Sequence, residues 1–298
     1  MVESASSCAA KGGDSEQSEG EGLHTHEGIL PLAKSIKVMG YGWLLPGHGE
    51  SYADCGAWRY EGCLNVDQHT QEGLFEGMVG KVYVRVFKRS CARAECPTCY
   101  EKWAGKEALK IEWRLLSWYS SKNVIHVIAS CPHKIKNGFF GQMRRECYSV
   151  LKKAGFIGGS VIFHPFRQRK KTKEWYWSPH FHCLGYGWIK NTKALYEATG
   201  WVVKNAGLRK TISGTALYQL SHCGVHEKLH SVTWFGALAY NKLRVLPLPE
   251  KEKEICPMCG EELRPLWYFG AQKLPEEEGF FWFEADGWEY KPLRGFGG

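Results

Sequence analysis

Residues 177–187, WSPHFHCLGYG, decide the fold expected for this chain. The segment is apolar and aromatic, which is typical of a β-strand. Side chains two residues apart in a strand point to the same face, so His180 and His182 project together and Phe181 turns to the other side. Two imidazoles on one face of a rigid strand supply half of a metal site, although such a pair also arises by chance among 12 histidines.

The segment before this strand carries a further histidine. Residues 160–166 (SVIFHPF) predict a second strand, and the basic stretch 167–173 predicts the turn that joins the two. Neighbouring residues on paired strands lie roughly 5 Å apart. If the register agrees, we expect His164 to be a third ligand beside His180 and His182.

The rest of the chain alternates between strand and helix patterns. Further strands are predicted at 79–87, 124–130 and 234–238, and helices at 103–119, 142–154, 194–199 and 217–222. This order predicts an α+β fold with a central antiparallel sheet and flanking helices. We expect four regions, which are a disordered acidic tail at 1–28, a zinc-binding region at 29–120, the core at 121–245, and a region with a zinc knuckle and acidic residues at 246–298.

The distribution of charge indicates a polyanionic partner. The net charge is +8, but residues 29–249 contain 32 Lys and Arg against 14 Asp and Glu, between acidic segments at 1–28 and 250–290. Lys and Arg that contact phosphates release counterions, so a basic body fits a nucleic-acid partner, although the charge alone fits an ordinary solvated basic face equally well. The absence of an apolar run long enough for a membrane span, and of a signal-like N-terminal segment, predicts a cytoplasmic protein without membrane partners.

Twelve cysteines in such a compartment predict metal binding rather than disulfides, because several form Cys-x-x-Cys pairs. The first group supplies three thiolates at zinc-ligand spacing, from Cys91, Cys96 and Cys99. We expect Cys63 to be the fourth ligand, with Cys55 and His69 as alternatives. A site of this kind binds Zn²⁺ and stabilises the fold.

A second zinc site is predicted from the knuckle CPMCG, which contains Cys256 and Cys259. Its partners should come from residues 221–230 (SHCGVHEKLH). The expected pair is His222 and His230, and the rivals are Cys223 and His226. This site would join the end of the core to the C-terminal region.

The histidine strand also carries a family resemblance. Residues 178–187 (SPHFHCLGYG) resemble the His-hydrophobic-His motif of the HUH endonucleases, a family of rolling-circle replication initiators, relaxases and certain transposases. Residues 124–130 resemble the first motif of that family, and the resemblance spans roughly 123–241. The zinc-rich flanks look most like replication proteins of archaeal plasmids and viruses. The fold implied is the HUH endonuclease-like antiparallel sheet, with 121–245 as the nuclease core.

The family uses a nucleophilic tyrosine on a helix downstream of the histidine strand. The resemblance assigns this role to Tyr218 in LYQLSH, with Tyr240 as the reserve candidate. Many relatives have Lys one helical turn after the tyrosine, whereas this chain has His222. The resemblance implies that the tyrosine attacks DNA and leaves a 5′-phosphotyrosine link and a free 3′-OH.

The implied enzyme nicks single-stranded origin DNA with a divalent ion held by the three histidines. Imidazole ligands suit softer ions, so we expect Mn²⁺ to serve at least as well as Mg²⁺. The DNA backbone would be held by the basic turn, through Arg167, Arg169, Lys170, Lys171 and Lys173. Because the chain has no G-x-x-x-x-G-K-[ST] phosphate loop, a host helicase and a host polymerase are expected partners.

Two other functions fit many of the same features. The same nuclease core serves transposition or plasmid mobilisation, because the nick is identical. A zinc-stabilised nucleic-acid-binding protein without catalysis would share the basic body and the cysteine pairs. A binding protein has no need for His180 and His182 beside a downstream Tyr218, and this co-occurrence favours the enzyme.

Overall fold

The hairpin that carries His164, His180 and His182 lies in the middle of one of two five-stranded sheets. The computed structural model describes residues 42–69, 76–119, 123–249 and 252–292. The acidic tail predicted at 1–28 lies outside these ranges. The described strands and helices are, in chain order, β1 (Trp58–Cys63), β2 (Val82–Lys88), α1 (Tyr100–Trp118), β3 (Ile125–Ser130), α2 (Phe140–Ala154), β4 (Phe156–Gln168), β5 (Trp175–Gly187), α3 (Thr192–Thr199), β6 (Val202–Leu208), α4 (Ile212–Leu220), β7 (Val232–Gly236), β8 (Arg264–Tyr268), β9 (Gly279–Phe283) and β10 (Trp288–Tyr290).

The central sheet has the strand order β6-β3-β5-β4-β7, and every neighbouring pair is antiparallel. The predicted α+β class with an antiparallel sheet is therefore confirmed. The long β4–β5 hairpin forms the middle of the sheet, and its register places His164 directly opposite His180. The pairing shifts between His164 and Phe166, where the two strands approach the basic turn.

Alternation along the hairpin divides the side chains between two cores. Phe163 and Phe181 face α2, where both rings contact Phe140. On the opposite face, Ile162 and Leu184 belong to an apolar cluster that includes residues of α1 and α4. His182 pairs with Ile162 across the hairpin, so the histidines share the face that α1 and α4 cover.

The helices on the histidine face are fixed by both apolar and polar contacts. Ile111 and Leu115 of α1 pack with Ala216 and Leu220 of α4 in the buried cluster. The Arg114 guanidinium donates hydrogen bonds to two carbonyl groups after β7, those of Leu238 and Leu243. No helix in the described part of the chain combines the length and the apolar character needed to cross a membrane.

The second sheet joins the two ends of the described chain. Its strand order is β10-β8-β1-β2-β9, so the two strands from residues 58–88 lie between strands from residues 264–290. Its core contains Val84 and Val86 of β2, Leu266 of β8 and Trp288 of β10. The regions expected at 29–120 and 246–298 thus share one sheet. Helix α1, although it lies within 29–120, contributes to the core of the central sheet.

The close approach of β4 to β5 gives a test of this packing. A Cβ at Gly185 would lie 2.7 Å from the Gly159 Cα and even closer to the Gly158 carbonyl oxygen. We expect Gly185→Ala to lower the free energy of unfolding by about 1–3 kcal/mol, as overpacked substitutions do. Denaturant unfolding followed by circular dichroism measures the change.

The matched control is Gly105→Ala in α1, where a Cβ would meet no atom within 4 Å. Alanine is favoured over glycine in a helix by roughly 0.5–1 kcal/mol, so this variant should be as stable as the parent or more stable. Equal stability of the Gly185→Ala protein and the parent would contradict the described register.

Candidate metal centres and the tyrosine helix

Three histidines meet on the face of the hairpin beneath α4. His164, His180 and His182 each offer a nitrogen, and these atoms all lie within 4.8 Å of one another. All three residues are buried, with exposed fractions of 0%, 5% and 8%. The structure therefore brings together the three residues that the sequence predicts as ligands, and the group could hold a metal ion.

Hydrogen bonds set which nitrogen of each ring is left for an ion. The Nδ1 of His180 donates to the Ser178 carbonyl oxygen at 2.7 Å, because a carbonyl oxygen can only accept. The Nδ1 of His182 lies 2.9 Å from the Nε2 of His126. Both rings therefore have their Nε2 atoms left for an ion.

His164 gives the clearest sign that a cation fits here. Both of its ring nitrogens are buried, and neither has a hydrogen-bond partner in the described structure. A buried polar group without a partner costs about 1–3 kcal/mol. An ion held by three imidazole nitrogens would satisfy one of the two His164 nitrogens and reduce this cost, so the donor set fits a divalent metal.

The electrostatics of the cluster keep the rings neutral. Burial, and after it the charge of Arg167, lowers the pKa of His180 to about 3. Burial, together with the neighbouring histidines, also holds the pKa values of His164 and His182 well below the usual value of 6.5. Neutral imidazoles carry the lone pairs that metal coordination requires.

The candidate nucleophile lies one imidazole away from this cluster. Tyr218 is on α4 with 62% of its surface exposed, and His222 follows soon after the helix ends. The ring centre of His222 is 4.9 Å from that of Tyr218 and 4.6 Å from that of His164. His222 therefore bridges the tyrosine and the three histidines.

Tyr240, the reserve nucleophile, packs elsewhere. Its ring lies over the Arg114 guanidinium at 4.7 Å, and Trp234 lies 4.9 Å from the same group. Arg114 belongs to α1 and is hydrogen-bonded to the chain that follows β7. This environment gives Tyr240 a packing role beside α1.

Of the five basic residues predicted to hold DNA, Arg167 lies closest to the histidines. Its guanidinium donates to the Ser130 hydroxyl at 2.8 Å, and Ser130 is the cross-strand neighbour of His180. The Arg169 guanidinium stacks over Tyr176 at 5.0 Å. The remaining three are exposed on the turn, namely Lys170, Lys171 and Lys173. Arg167 therefore places positive charge beside the cluster, and the turn beyond it carries further exposed positive charge.

The first cysteine cluster has a different fourth member from the one expected. Cys91, Cys96 and Cys99 gather with Cys55, not with Cys63. The Cys55 sulfur lies 3.0 Å from that of Cys99 and 3.4 Å from that of Cys96. Cys63 is directed elsewhere because it ends β1, whereas Cys55 precedes that strand. This four-thiolate group could hold a metal such as zinc.

The second cluster also departs from the expectation. Cys256 and Cys259 gather with Cys63 and His69 rather than with His222 and His230. His69 Nε2 lies 3.4 Å from the Cys63 sulfur and 3.3 Å from the Cys256 sulfur. His222 instead contacts His164 of the three-histidine cluster, and His230 is exposed.

The His69 ring is oriented by the main chain of the second sheet. Its Nδ1 donates to the Lys81 carbonyl oxygen at 2.6 Å, which leaves Nε2 for an ion. The cluster joins the end of β1 to the knuckle before β8, and Gly260 follows the knuckle with a left-handed φ of 75°. A metal such as zinc in this group would cross-link the two segments that build the second sheet.

One buried histidine of the site is absent from the sequence-based prediction. His126 lies on β3, is 7% exposed, and hydrogen-bonds to His182. The alternation in VIHVIAS places it on the face of Ile128, which pairs with His182. That alternation was the available signal, but a lone histidine in an apolar strand is usually a core residue.

Comparison with protein-family models, characterised proteins and solved structures gives no match for this chain.

The two cysteine clusters predict a specific pattern of zinc loss. We expect about two zinc ions per chain, one for each four-ligand group. The double variant Cys55→Ser/Cys91→Ser alters one cluster and should lose one ion. The double variant Cys63→Ser/Cys91→Ser alters both and should lose two. Zinc released from equal amounts of protein, measured with a colorimetric chelator, distinguishes them.

The sequence-based assignment makes the opposite prediction for the second variant. If Cys63 and Cys91 were ligands of one ion, their joint replacement would release only that ion. Cys131→Ser, which alters a buried cysteine outside both clusters, serves as the control and should retain both ions.

Burial of the histidines predicts acid sensitivity of the metal-free protein. The pKa of His222 is lowered to about 4 by burial, and that of His126 to about 4 by burial and by Arg209. The unfolded chain therefore binds more protons between about pH 6.5 and pH 4. The contribution of these neutral histidines to stability is fully present above pH 6.5. The free energy of unfolding should fall as the pH decreases from 6.5 to about 4.

Chemical unfolding in the presence of a chelator that does not remove the thiolate-bound ions, at several pH values, measures this dependence. The variant His222→Phe should show a shallower slope because one buried histidine is lost. A slope identical to that of the parent protein would contradict the neutral, buried state of His222.

Proposed function

We propose that this chain is a metal-dependent endonuclease that nicks single-stranded DNA through Tyr218. The proposal rests on the row formed by Tyr218, His222 and the three-histidine cluster. The ring centre of His222 lies 4.9 Å from that of Tyr218 and 4.6 Å from that of His164. A nucleophile for a phosphodiester and a group able to hold a cation thus lie side by side. The resemblance to HUH endonucleases supports the same assignment.

The ion would be held by His164, His180 and His182, as Mn²⁺ or Mg²⁺. When bound, it polarises a phosphate oxygen and neutralises the charge that develops during displacement. Three protein ligands leave coordination positions for a substrate, in contrast to a closed four-ligand site. The cluster contains no carboxylate, so its ligands do not offset the positive charge of the ion.

The chain itself supplies the nucleophile and holds the DNA. The Tyr218 hydroxyl oxygen attacks phosphorus, the bond to the 3′ oxygen breaks, and that oxygen leaves as a free 3′-OH after taking a proton. The phosphate remains on Tyr218 as a 5′-phosphotyrosine. Arg167 beside His180 and the exposed lysines of the β4–β5 turn would hold the backbone near the reacting phosphate.

A free 3′-OH primes a polymerase, so we assign the nick to initiation of rolling-circle replication at an origin. Strand separation and synthesis would fall to a host helicase and a host polymerase. Transposition or mobilisation would use the same nick. The position of Tyr218 beside the cluster supports the chemistry common to all three.

Incubation with a labelled single-stranded DNA library and Mn²⁺, followed by a denaturing gel, tests the proposal. We expect a covalent adduct between protein and DNA that Tyr218→Phe abolishes, because the phenol oxygen is the attacking atom. Tyr240→Phe is the matched control, since Tyr240 is also exposed but packs on Arg114. That variant should retain the adduct.

The other outcomes contradict the proposal in different ways. Loss of the adduct only in the Tyr240→Phe protein would identify Tyr240, on the surface beside α1, as the nucleophile. Binding of DNA without cleavage, in a library that includes the origin of the replicon encoding the protein, would favour a non-catalytic zinc-stabilised binding protein.

A further inference from the structure

We propose that His126 is a positioning residue of the three-histidine metal centre, which it serves by fixing the tautomer and orientation of His182. The proposal rests on the metal centre described above. His126 is outside the group of three whose nitrogens lie within 4.8 Å of one another. It therefore acts through His182 and not as a ligand.

The contact between the two rings is direct and buried. His126 Nε2 lies 2.9 Å from His182 Nδ1, and the ring centres are 5.0 Å apart with an interplanar angle of 28°. His126 is on β3, the strand that pairs with β5, and its cross-strand neighbour is Leu184. The hydrogen bond thus runs diagonally between adjacent strands of a rigid sheet.

Only one arrangement of the shared proton permits His182 to bind a metal through Nε2. If His182 Nδ1 carries the proton and donates it to His126, the lone pair of His182 remains on Nε2. If His126 donates instead, the proton of neutral His182 must be on Nε2, where it blocks coordination. His126 as acceptor therefore selects the tautomer that can bind the ion.

An imidazole acceptor differs in charge from the carboxylate that often fills this role. A carboxylate would add a negative charge beside the ion and weaken its attraction for a phosphate. Neutral His126 orients His182 without that effect. A histidine at this position thus suits a centre that must act on an anion.

Two substitutions separate orientation from packing. His126→Phe keeps an aromatic ring in the buried position and removes the acceptor, whereas His126→Gln provides an amide oxygen that can accept from His182. We expect His126→Phe to weaken Mn²⁺ binding by about 10–100-fold, as loss of such partners does, and His126→Gln to restore most of it. His133→Phe, the same change at an exposed histidine, is the control and should bind normally.

Binding is measured on the full chain with its thiolate sites loaded with zinc, by following the electron paramagnetic resonance signal of free Mn²⁺. Manganese prefers oxygen and nitrogen over thiolate, so the cysteine clusters remain filled. Equal affinities for His126→Phe and the parent would overturn the proposal. Equal losses in His126→Phe and His126→Gln would also overturn it, because they would indicate packing alone.

A measurement on the parent protein covers the case in which His126→Phe does not fold. Nitrogen-15 NMR of the imidazoles with Mg²⁺ bound should show His182 protonated at Nδ1 and coordinated through Nε2. Coordination through Nδ1 would overturn the proposal. These measurements need no DNA, so a protein that binds Mn²⁺ as described but fails to nick would contradict the proposed function and leave the role of His126 intact.

Discussion

The burial of three imidazoles on one face of the β4–β5 hairpin is the constraint on which the rest of the structure depends. His164 lies wholly inside the protein with both nitrogens unpaired, which is unfavourable unless a cation is present. The register that aligns His164 with His180 requires β4 and β5 to approach closely, and glycines at positions 159 and 185 allow it. The middle of the sheet is thus shaped around the cluster.

The same face determines where the tyrosine helix lies. Helix α4 packs through Ala216 and Leu220 onto the apolar part of this face, and α1 packs against it in the same buried cluster. Tyr218 on the outer side of this helix and His222 just after its end lie close to the histidines of the hairpin, with the His222 ring centre 4.9 Å from that of Tyr218 and 4.6 Å from that of His164. Helix α4 therefore both packs onto the apolar part of the sheet and positions Tyr218 near the histidines.

Four of the five strands of the central sheet could be predicted from the sequence because their signals are local, whereas β6 was not predicted. Two apolar segments joined by a basic turn predict the hairpin, and its register places His164 opposite His180. The end of α2 at Gly155, with φ of 95°, follows from the same local chemistry. The zinc partners could not be found this way, because His69 and Cys256 are separated by 187 residues and meet only through the second sheet. Spacing within a knuckle identifies half of a site, and tertiary structure supplies the other half.

The three candidate metal sites differ in the charge of their ligands and in whether they leave a coordination position open. Four thiolates, or three thiolates and one histidine, close the coordination shell and leave zinc with a net negative site, which suits cross-linking of distant segments. Three neutral imidazoles leave the shell open and keep the positive charge of a divalent ion. Only this third site can attract a phosphate, and it is the one beside an exposed tyrosine. The proposed stabilising and catalytic roles thus fall to different ligands of the same chain.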